Sequence, residues 1–263
     1  MTTIGFIGTG NMGAAIIRGL SVRDDVALAG FDLNKASLAA LSEVGLNAAA
    51  STVELAAQSD IIVLAVKPYQ VETVLTEIGG ELGPDKTVLS IAAGITMKKL
   101  RKWAGEAPVV RVMPNTPAMV GAGVFALCLE DERLGQERAA LVQDLFAGLG
   151  QVHVLPEKQF DAFTAVAGSG PAYVFYFMEA VIEAGVTLGL TRQQTTQMVE
   201  GLFSGSAKLA TENEHHISVL REMVCSPGGT TIAALNVFDK KAVRAAIVKG
   251  VIKSAKRSKE LGD

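Results

Sequence analysis

The chain has 263 residues, 49% of them apolar, which is enough for one large domain or two modest ones with a substantial core. A net charge of −3 and an aromatic share of 5% argue against a basic nucleic-acid surface and against extended base-stacking platforms. The two cysteines, Cys128 and Cys225, fit neither a disulfide framework nor a metal-ligand spacing, so reduced thiols and no metal are expected.

The first part of the chain alternates in type. "TIGFIG" is a continuous apolar run, as expected of a strand buried on both faces. "NMGAAIIRGL" follows with helical spacing, then "VALAGFD" as strand, "KASLAALSEVG" as helix and "DIIVLAV" as strand. Helical "QVETVLTEIG", strand "TVLSIA", helical "MKKLRKWAG" and strand "PVVRVM" continue the series. "GVFALCLE" and "QVHVLP" read as later strands, with "ERLGQERAALVQDLFAGLG" as a helix between them. Strands alternating with helices predict βαβ units and a parallel sheet.

Strand signals stop after about Pro156. "KQFDAFTAVAGSGPAYVFYFMEAVIEAGVTLGL" is long and apolar, and "TRQQTTQMVEGLFSGSAKLATEN" opens on a threonine suited to a helix N-cap. From Asp239 onward, Lys241, Arg244, Lys249, Lys253 and Lys256 recur at helical spacing, the pattern of a solvated basic face. The expected fold is α/β: a Rossmann-type dinucleotide-binding domain over 1–155, followed by an all-helical domain over 156–263. No charged leader precedes the first strand, and "DIIVLAVKP", taken as the most apolar run, is too short to cross a bilayer. A cytoplasmic protein without a membrane or nucleic-acid partner is expected.

Gly8, Gly10 and Gly13 form G-x-G-x-x-G between a predicted strand and a predicted helix. In that setting Ile7, Gly8, Thr9, Gly10, Asn11 and Met12 place backbone against a dinucleotide pyrophosphate at a helix N-terminus. Asp32 ends the second strand, where an acid bonds the ribose 2′-OH and favours NAD. Adjacent Asn34 and Lys35 suit a 2′-phosphate instead. The balance leans to NADPH, with NADH the alternative. Ala65, Val66, Lys67 and Pro68 end another strand and are expected to form a backbone wall beside the cofactor. Ala92, Ala93 and Gly94 place small residues at a third strand end. Asn115 and Thr116, between two prolines, suit a rigid turn.

A second glycine-rich stretch, "CSPGGTTIAAL", lies in the helical half. Gly228 and Gly229 leave backbone N–H groups open to an anion at the start of a further helix. His215 and His216 are adjacent, so they share no helix face, and surface polarity suits them better than a metal.

Together, "GFIGTGNMGAAIIRGL", "LAVKP", "SIAAGIT", "RVMPNTPAMVGAGV", "AVAGSGPAYVFYFMEA" and "SPGGTTIAAL" resemble the pyrroline-5-carboxylate reductases, nearly end to end. The resemblance implies reduction of the cyclic imine L-1-pyrroline-5-carboxylate to L-proline with NAD(P)H, in proline biosynthesis. It implies an intertwined homodimer, with assembly beyond the dimer open. It places Thr231 on the ring nitrogen as the catalytic threonine, and Ser226, Pro227, Gly228, Gly229 and Thr230 around the substrate carboxylate. Glu214 matches an acid near the substrate, and the resemblance puts Asn115 and Thr116 beside the nicotinamide. Two departures stand out: Thr52 replaces an asparagine common near the cofactor's 2′ end, and Ile217 replaces a proline. A β-hydroxyacid dehydrogenase shares the opening motif but needs a lysine on the first long helix, and none occurs between Lys158 and Lys208. A non-catalytic NAD(P)-binding sensor has no need of the second loop.

Overall fold

The computed structural model describes residues 1–262. In chain order its first elements are β1 (Thr2–Ile7), α1 (Asn11–Leu20), β2 (Val26–Phe31), α2 (Lys35–Ala39), β3 (Asn47–Ala48) and α3 (Thr52–Gln58). β4 (Ile61–Leu64), α4 (Val71–Glu77), β5 (Thr87–Ser90), α5 (Met97–Trp103), β6 (Val109–Met113), β7 (Gly123–Cys128), α6 (Gln136–Ala147) and β8 (Gly150–Val154) follow. The rest is helical: α7 (Phe160–Phe163), a π turn (Thr164–Gly168), α8 (Gly170–Thr187), α9 (Arg192–Glu212), α10 (Ile217–Met223), α11 (Thr230–Lys240) and α12 (Val243–Gly262).

The strands form one sheet in the order β3-β2-β1-β4-β5-β6-β7-β8. All neighbouring pairs are parallel except β6–β7. This corrects the purely parallel expectation. The link from β6 to β7 holds only a short 3-10 turn at Thr116–Val120, too little chain for the crossover that parallel strands require. α6 then supplies a crossover, and β8 runs parallel to β7.

Successive residues of the central strands enter opposite cores. Ile7, Ile62, Leu64, Val88 and Val109 pack on one face of the sheet. Phe6, Ile61, Val63, Leu89 and Val110 pack on the other. Both faces are buried, so these strands read as unbroken apolar runs.

Several local expectations change. "KASLAALSEVG" is not one helix: α2 ends at Ala39, and a separate 3-10 turn covers Ser42–Val44. α3 was not read from the sequence, although Ser51 and Glu54 carried its start signal. The Ser51 hydroxyl accepts from the Glu54 N–H, and the Glu54 carboxylate accepts from the Ala50 N–H. The basic stretch from Asp239 is not one helix either. Ala242 breaks it with φ 55, so Lys241 caps α11 while Arg244 lies in the first turn of α12.

The chain forms two compact units. One comprises 1–169 with the tail from Ser254, and the other comprises Gly170–Lys253. The sequence pattern divides the chain at 155/156 instead, where strands cease. In the first unit the tail is tied down by side chains. Lys99 donates to the Gly262 carbonyl at 2.6 Å, and Ser258 donates to Asp161 at 2.7 Å. In the second unit α8 and α9 cross closely where Gly185 meets Thr195. Elsewhere in this unit Phe177 packs against Phe203 and Phe238, at centroid distances of 5.9 and 6.4 Å.

The helical run Glu157–Thr187 has 31 residues and a most apolar window of mean hydropathy 1.2. By length and composition it is sufficient to cross a bilayer, so "DIIVLAVKP" is not the segment that poses that question. Much of its apolar surface is open within one chain: Phe175 is 62% and Tyr176 77% exposed.

Asp131, in the loop after β7, pins the start of β6 in the first unit. Its carboxylate accepts from the Val109 N–H, from the Arg133 N–H and from the Arg133 guanidinium. Burial pushes this carboxyl up, but the hydrogen bonds from Arg133 and Val109 outweigh it and hold the group below the usual carboxylate range. A depressed folded-state value gives stability that is complete above the unfolded pKa and is lost as pH falls through the folded one. Asp131→Asn should therefore cost about 1–3 kcal/mol at neutral pH. In urea melts across pH, that deficit should be flat above about pH 5 and should narrow on further acidification.

Candidate active site

The strand order reverses at β1, whose neighbours are β2 and β4. In such sheets a crevice opens beyond the carboxyl ends of the strands at that point. A cavity of about 530 Å³ lies there. Gly8 and Gly10 after β1, Asp32 after β2, and Ala65, Val66 and Lys67 after β4 all line it.

The three motif glycines do three different things. Gly8 has φ +100, and a Cβ on it would lie 2.7 Å from the Ala65 carbonyl oxygen. A Cβ on Gly13 would lie 2.5 Å from the Gly8 carbonyl oxygen, so a side chain there would push α1 off the loop. A Cβ on Gly10 meets no atom of the described residues within 4 Å beyond its chain neighbours. Gly10 borders the cavity, so a side chain there would intrude on its contents. α1 makes its first intrahelical bond from the Ala14 N–H to the Gly10 carbonyl. By position, the N–H groups of Asn11, Met12 and Gly13 have no intrahelical acceptor.

Asp32 is tied into this loop. Its Oδ2 accepts from the Thr9 N–H at 2.6 Å and the Thr9 hydroxyl at 3.0 Å, and its Oδ1 accepts from the Asn34 N–H at 2.8 Å. The Asn34 side chain caps α2 by accepting from the Ala36 N–H at 3.1 Å. Asn34 and Lys35 are exposed and lie outside the cavity lining. The turn after β4 is closed by the Lys67 N–H donating to Gln70 at 3.1 Å, with Pro68 opening a 3-10 turn.

Some of the residues singled out in the sequence do structural work. The Asn115 amide donates to the Ala167 carbonyl at 3.1 Å and its oxygen accepts from the Val124 N–H at 2.9 Å, so both ends are committed. It ties the Pro-Asn-Thr-Pro turn to β7 and to the π turn, while Thr116 is exposed. Gly94 is buried, with the Leu261 carbonyl of α12 beside it, and Ala93 is exposed. Other lining residues escaped the sequence. Tyr69, Gln70, Thr73 and Glu77 border the cavity. The helical spacing after "AVKP" was the signal that could have found the last three. Thr52 also lines it, 4% exposed, and its hydroxyl has no hydrogen-bond partner among the described residues.

The second loop lies in the helical unit. Gly228 has φ 68, and the Gly229 N–H closes a turn on the Ser226 carbonyl at 3.0 Å. Gly229 is the N-cap of α11, whose first intrahelical bond runs from the Ala233 N–H. Thr230, Thr231 and Ile232 therefore lack intrahelical acceptors for their N–H groups. Thr231 is half-buried, while Thr230, Ser226 and Pro227 are exposed. Glu214 is exposed in the turn between α9 and α10. His216 is the N-cap of α10 and accepts from the Ser218 N–H through Nδ1 at 3.3 Å.

No group of three or more His, Cys, Asp or Glu residues placed to hold a metal occurs among the described residues. Burial pushes the Cys128 thiol up to about 11, so it is not a thiolate at neutral pH.

A glycine loop at the switch point of this sheet, with a cavity beyond it, defines a Rossmann-type dinucleotide-binding protein. A family model described as pyrroline-5-carboxylate reductase dimerisation matches residues 157–261, and one described as NADP oxidoreductase, coenzyme F420-dependent, matches residues 3–94. The chain is 40% identical to the pyrroline-5-carboxylate reductase of Escherichia coli, over 98% of this chain and 97% of that one. It is 36% identical to that of Arabidopsis thaliana, over 98% and 95%. The crystal structure of Plasmodium falciparum pyrroline carboxylate reductase with NADP bound is similar at a TM-score of 0.91, with 33% identity over 100% of this chain and 98% of that one. The chain belongs to the pyrroline-5-carboxylate reductase family.

The glycines separate stability from binding. Gly8→Ala should destabilise by about 2–4 kcal/mol, through strain at positive φ and the clash with Ala65. Gly10→Ala should leave the melting transition within about 0.5 kcal/mol of the parent. It should nevertheless weaken binding of a pyridine dinucleotide at least about tenfold in fluorescence titration.

Proposed function

We propose that the two loops divide one reaction, the first holding the coenzyme and the second the substrate. The chain is an NAD(P)H-dependent oxidoreductase that reduces L-1-pyrroline-5-carboxylate to L-proline, the closing step of proline biosynthesis. The observation that carries this is the presence in one chain of both the switch-point cavity and the Ser-Pro-Gly-Gly-Thr-Thr turn, over a length matched almost wholly by named reductases.

The residues present fit a dinucleotide. Gly10 opens onto the cavity, α1 presents free N–H groups, and the buried Thr52 hydroxyl lacks a partner among the described residues. We assign the backbone from Ile7 to Met12 to the pyrophosphate, Asp32, Asn34 and Lys35 to the adenosine ribose side, and Ala65 to Pro68 to the wall. Ala92, Ala93, Gly94, Asn115 and Thr116 belong toward the nicotinamide end, Asn115 as a strut of the turn. When bound, the coenzyme supplies the hydride.

The chain's own task is then to hold an anionic ring in one pose. The turn from Ser226 to Gly229 and the first turn of α11 offer N–H donors to the substrate carboxylate, which needs no arginine. Thr231 holds the ring nitrogen through its hydroxyl. A protonated imine is already electrophilic, so solvent supplies the proton and no strong acid is required. Glu214 orients the substrate side of the site.

The helical segment is a dimerisation domain and the protein is a homodimer. A partner subunit covers apolar side chains such as Phe175 and Met198, which are open in the single chain. Residues 1–155 carry the coenzyme, and 156–263 carry dimerisation and substrate binding. Free Cys128 and Cys225 fit a reducing compartment, and we place the protein in the cytoplasm.

Purified protein should oxidise NAD(P)H in the presence of pyrroline-5-carboxylate and leave β-hydroxyacids untouched, read as absorbance at the nicotinamide band. Thr231→Ala should lower kcat/KM for the imine at least about tenfold, some 1.4 kcal/mol of transition-state stabilisation, with coenzyme affinity unchanged. Undiminished turnover by that variant would remove Thr231 from the mechanism.

A further inference from the structure

We propose that the adenosine end of the cavity is built for an unphosphorylated ribose, so that this chain binds NADH in preference to NADPH. The inference rests on the coenzyme reading of the cavity and goes beyond it.

Asp32 carries the discrimination. It borders the cavity with Gly8, Gly10 and Leu33. Its carboxylate is held by three donors: the Thr9 N–H, the Thr9 hydroxyl and the Asn34 N–H. Thr9 is only 3% exposed, so turning Asp32 away would strand two of those donors out of reach of water. The charge is therefore fixed in place. An ionised carboxylate offers about four acceptor positions, and three are filled. The fourth suits a hydroxyl that donates, as a ribose 2′-OH does. A 2′-phosphate at neutral pH carries about −1.5 to −2 charges and meets Asp32 as a like charge.

The cavity lining itself offers little to compensate. Among the lining residues, Lys67 is the one cation, and Glu77 adds a second carboxylate. Lys35 and Asn34, the residues suited by type to a phosphate, stand outside the lining, and the Asn34 oxygen is spent on capping α2. Thr52 supplies the independent observation. It lines the same cavity, it is 4% exposed, and its hydroxyl is unpartnered among the described residues. A neutral hydroxyl completes its bonding with one ligand hydroxyl or ring nitrogen and contributes no charge to balance a phosphate.

The test uses the full-length protein without imine. NADH and NADPH are titrated by nicotinamide fluorescence, and each is displaced with 5′-AMP and with adenosine 2′,5′-bisphosphate, which differ only at the 2′ phosphate. NADH should bind at least about tenfold more tightly than NADPH, and 5′-AMP should displace better than the bisphosphate by a similar factor. Asp32→Asn removes the charge and keeps an acceptor, so it should shrink both ratios severalfold. A thermal melt checks that this variant is folded; if it is not, the parent ratios decide alone. Equal or tighter binding of NADPH by the parent overturns the proposal while leaving the coenzyme site intact. Unchanged ratios in folded Asp32→Asn overturn it too, as does a Lys35→Ala variant that weakens NADPH alone. Failure of both dinucleotides to bind would sink the coenzyme site itself, and this inference with it.

Discussion

The approach of the Gly8 turn to the end of β4 sets the geometry of the first unit. Ala65 lies so near that only a glycine can stand opposite it, and Gly13 continues the same contact on the α1 side. Asp32 then fastens the turn from its other flank through Thr9. Three strand ends are thus drawn together by backbone contact and one fixed carboxylate. That arrangement opens the cavity, starts α1 beside it, and leaves Gly10 as the part of the loop facing empty space. A side chain at Gly8 or Gly13 would damage the protein; one at Gly10 would damage only what the protein holds.

The helical unit follows a different logic. Its interior contacts are few: the α8–α9 crossing, the Phe177 cluster, and buried residues such as Thr195 and Val199. Its long apolar helix is open along much of its length in one chain. Apolar surface on that scale requires a second body, and the match to a dimerisation family over 157–261 names the kind of body. The same length and composition would serve a membrane span. Composition alone does not separate the two cases, because both need an apolar helix with little core of its own.

Much of the α/β half was legible because its strands are buried on both faces. Runs such as "DIIVLAV" then carry no alternation to confuse, and α1 spans the residues that periodicity proposed. The antiparallel β7 was legible too, from a link too short for a crossover, but an alternating pattern invites the assumption of a parallel sheet throughout. α3 carried a capping signal in Ser51 and Glu54 that its weak apolar stripe concealed. The break at Ala242 had no such signal, since neither glycine nor proline marks that position. Candidate site residues divide the same way. Gly8, Gly10 and the Ala65–Lys67 segment line the cavity as their motif positions suggest, whereas Asn115 is consumed by its neighbours.

The sequence by itself determined most of the elements and their order, the family resemblance, and the two loops to which the proposed chemistry is assigned. These depend on short-range facts: which residues follow a strand, which tolerate positive φ, and which free a helix N-terminus. Tertiary structure decided which polar groups remain available. Asp32 is fixed by Thr9, the Asn115 amide is spent, Lys35 is exposed outside the cavity lining, and the Thr52 hydroxyl is left without a partner among the described residues. A donor or acceptor is free or committed according to what the fold brings within about 3 Å of it, and that distance is set by segments far apart in the chain.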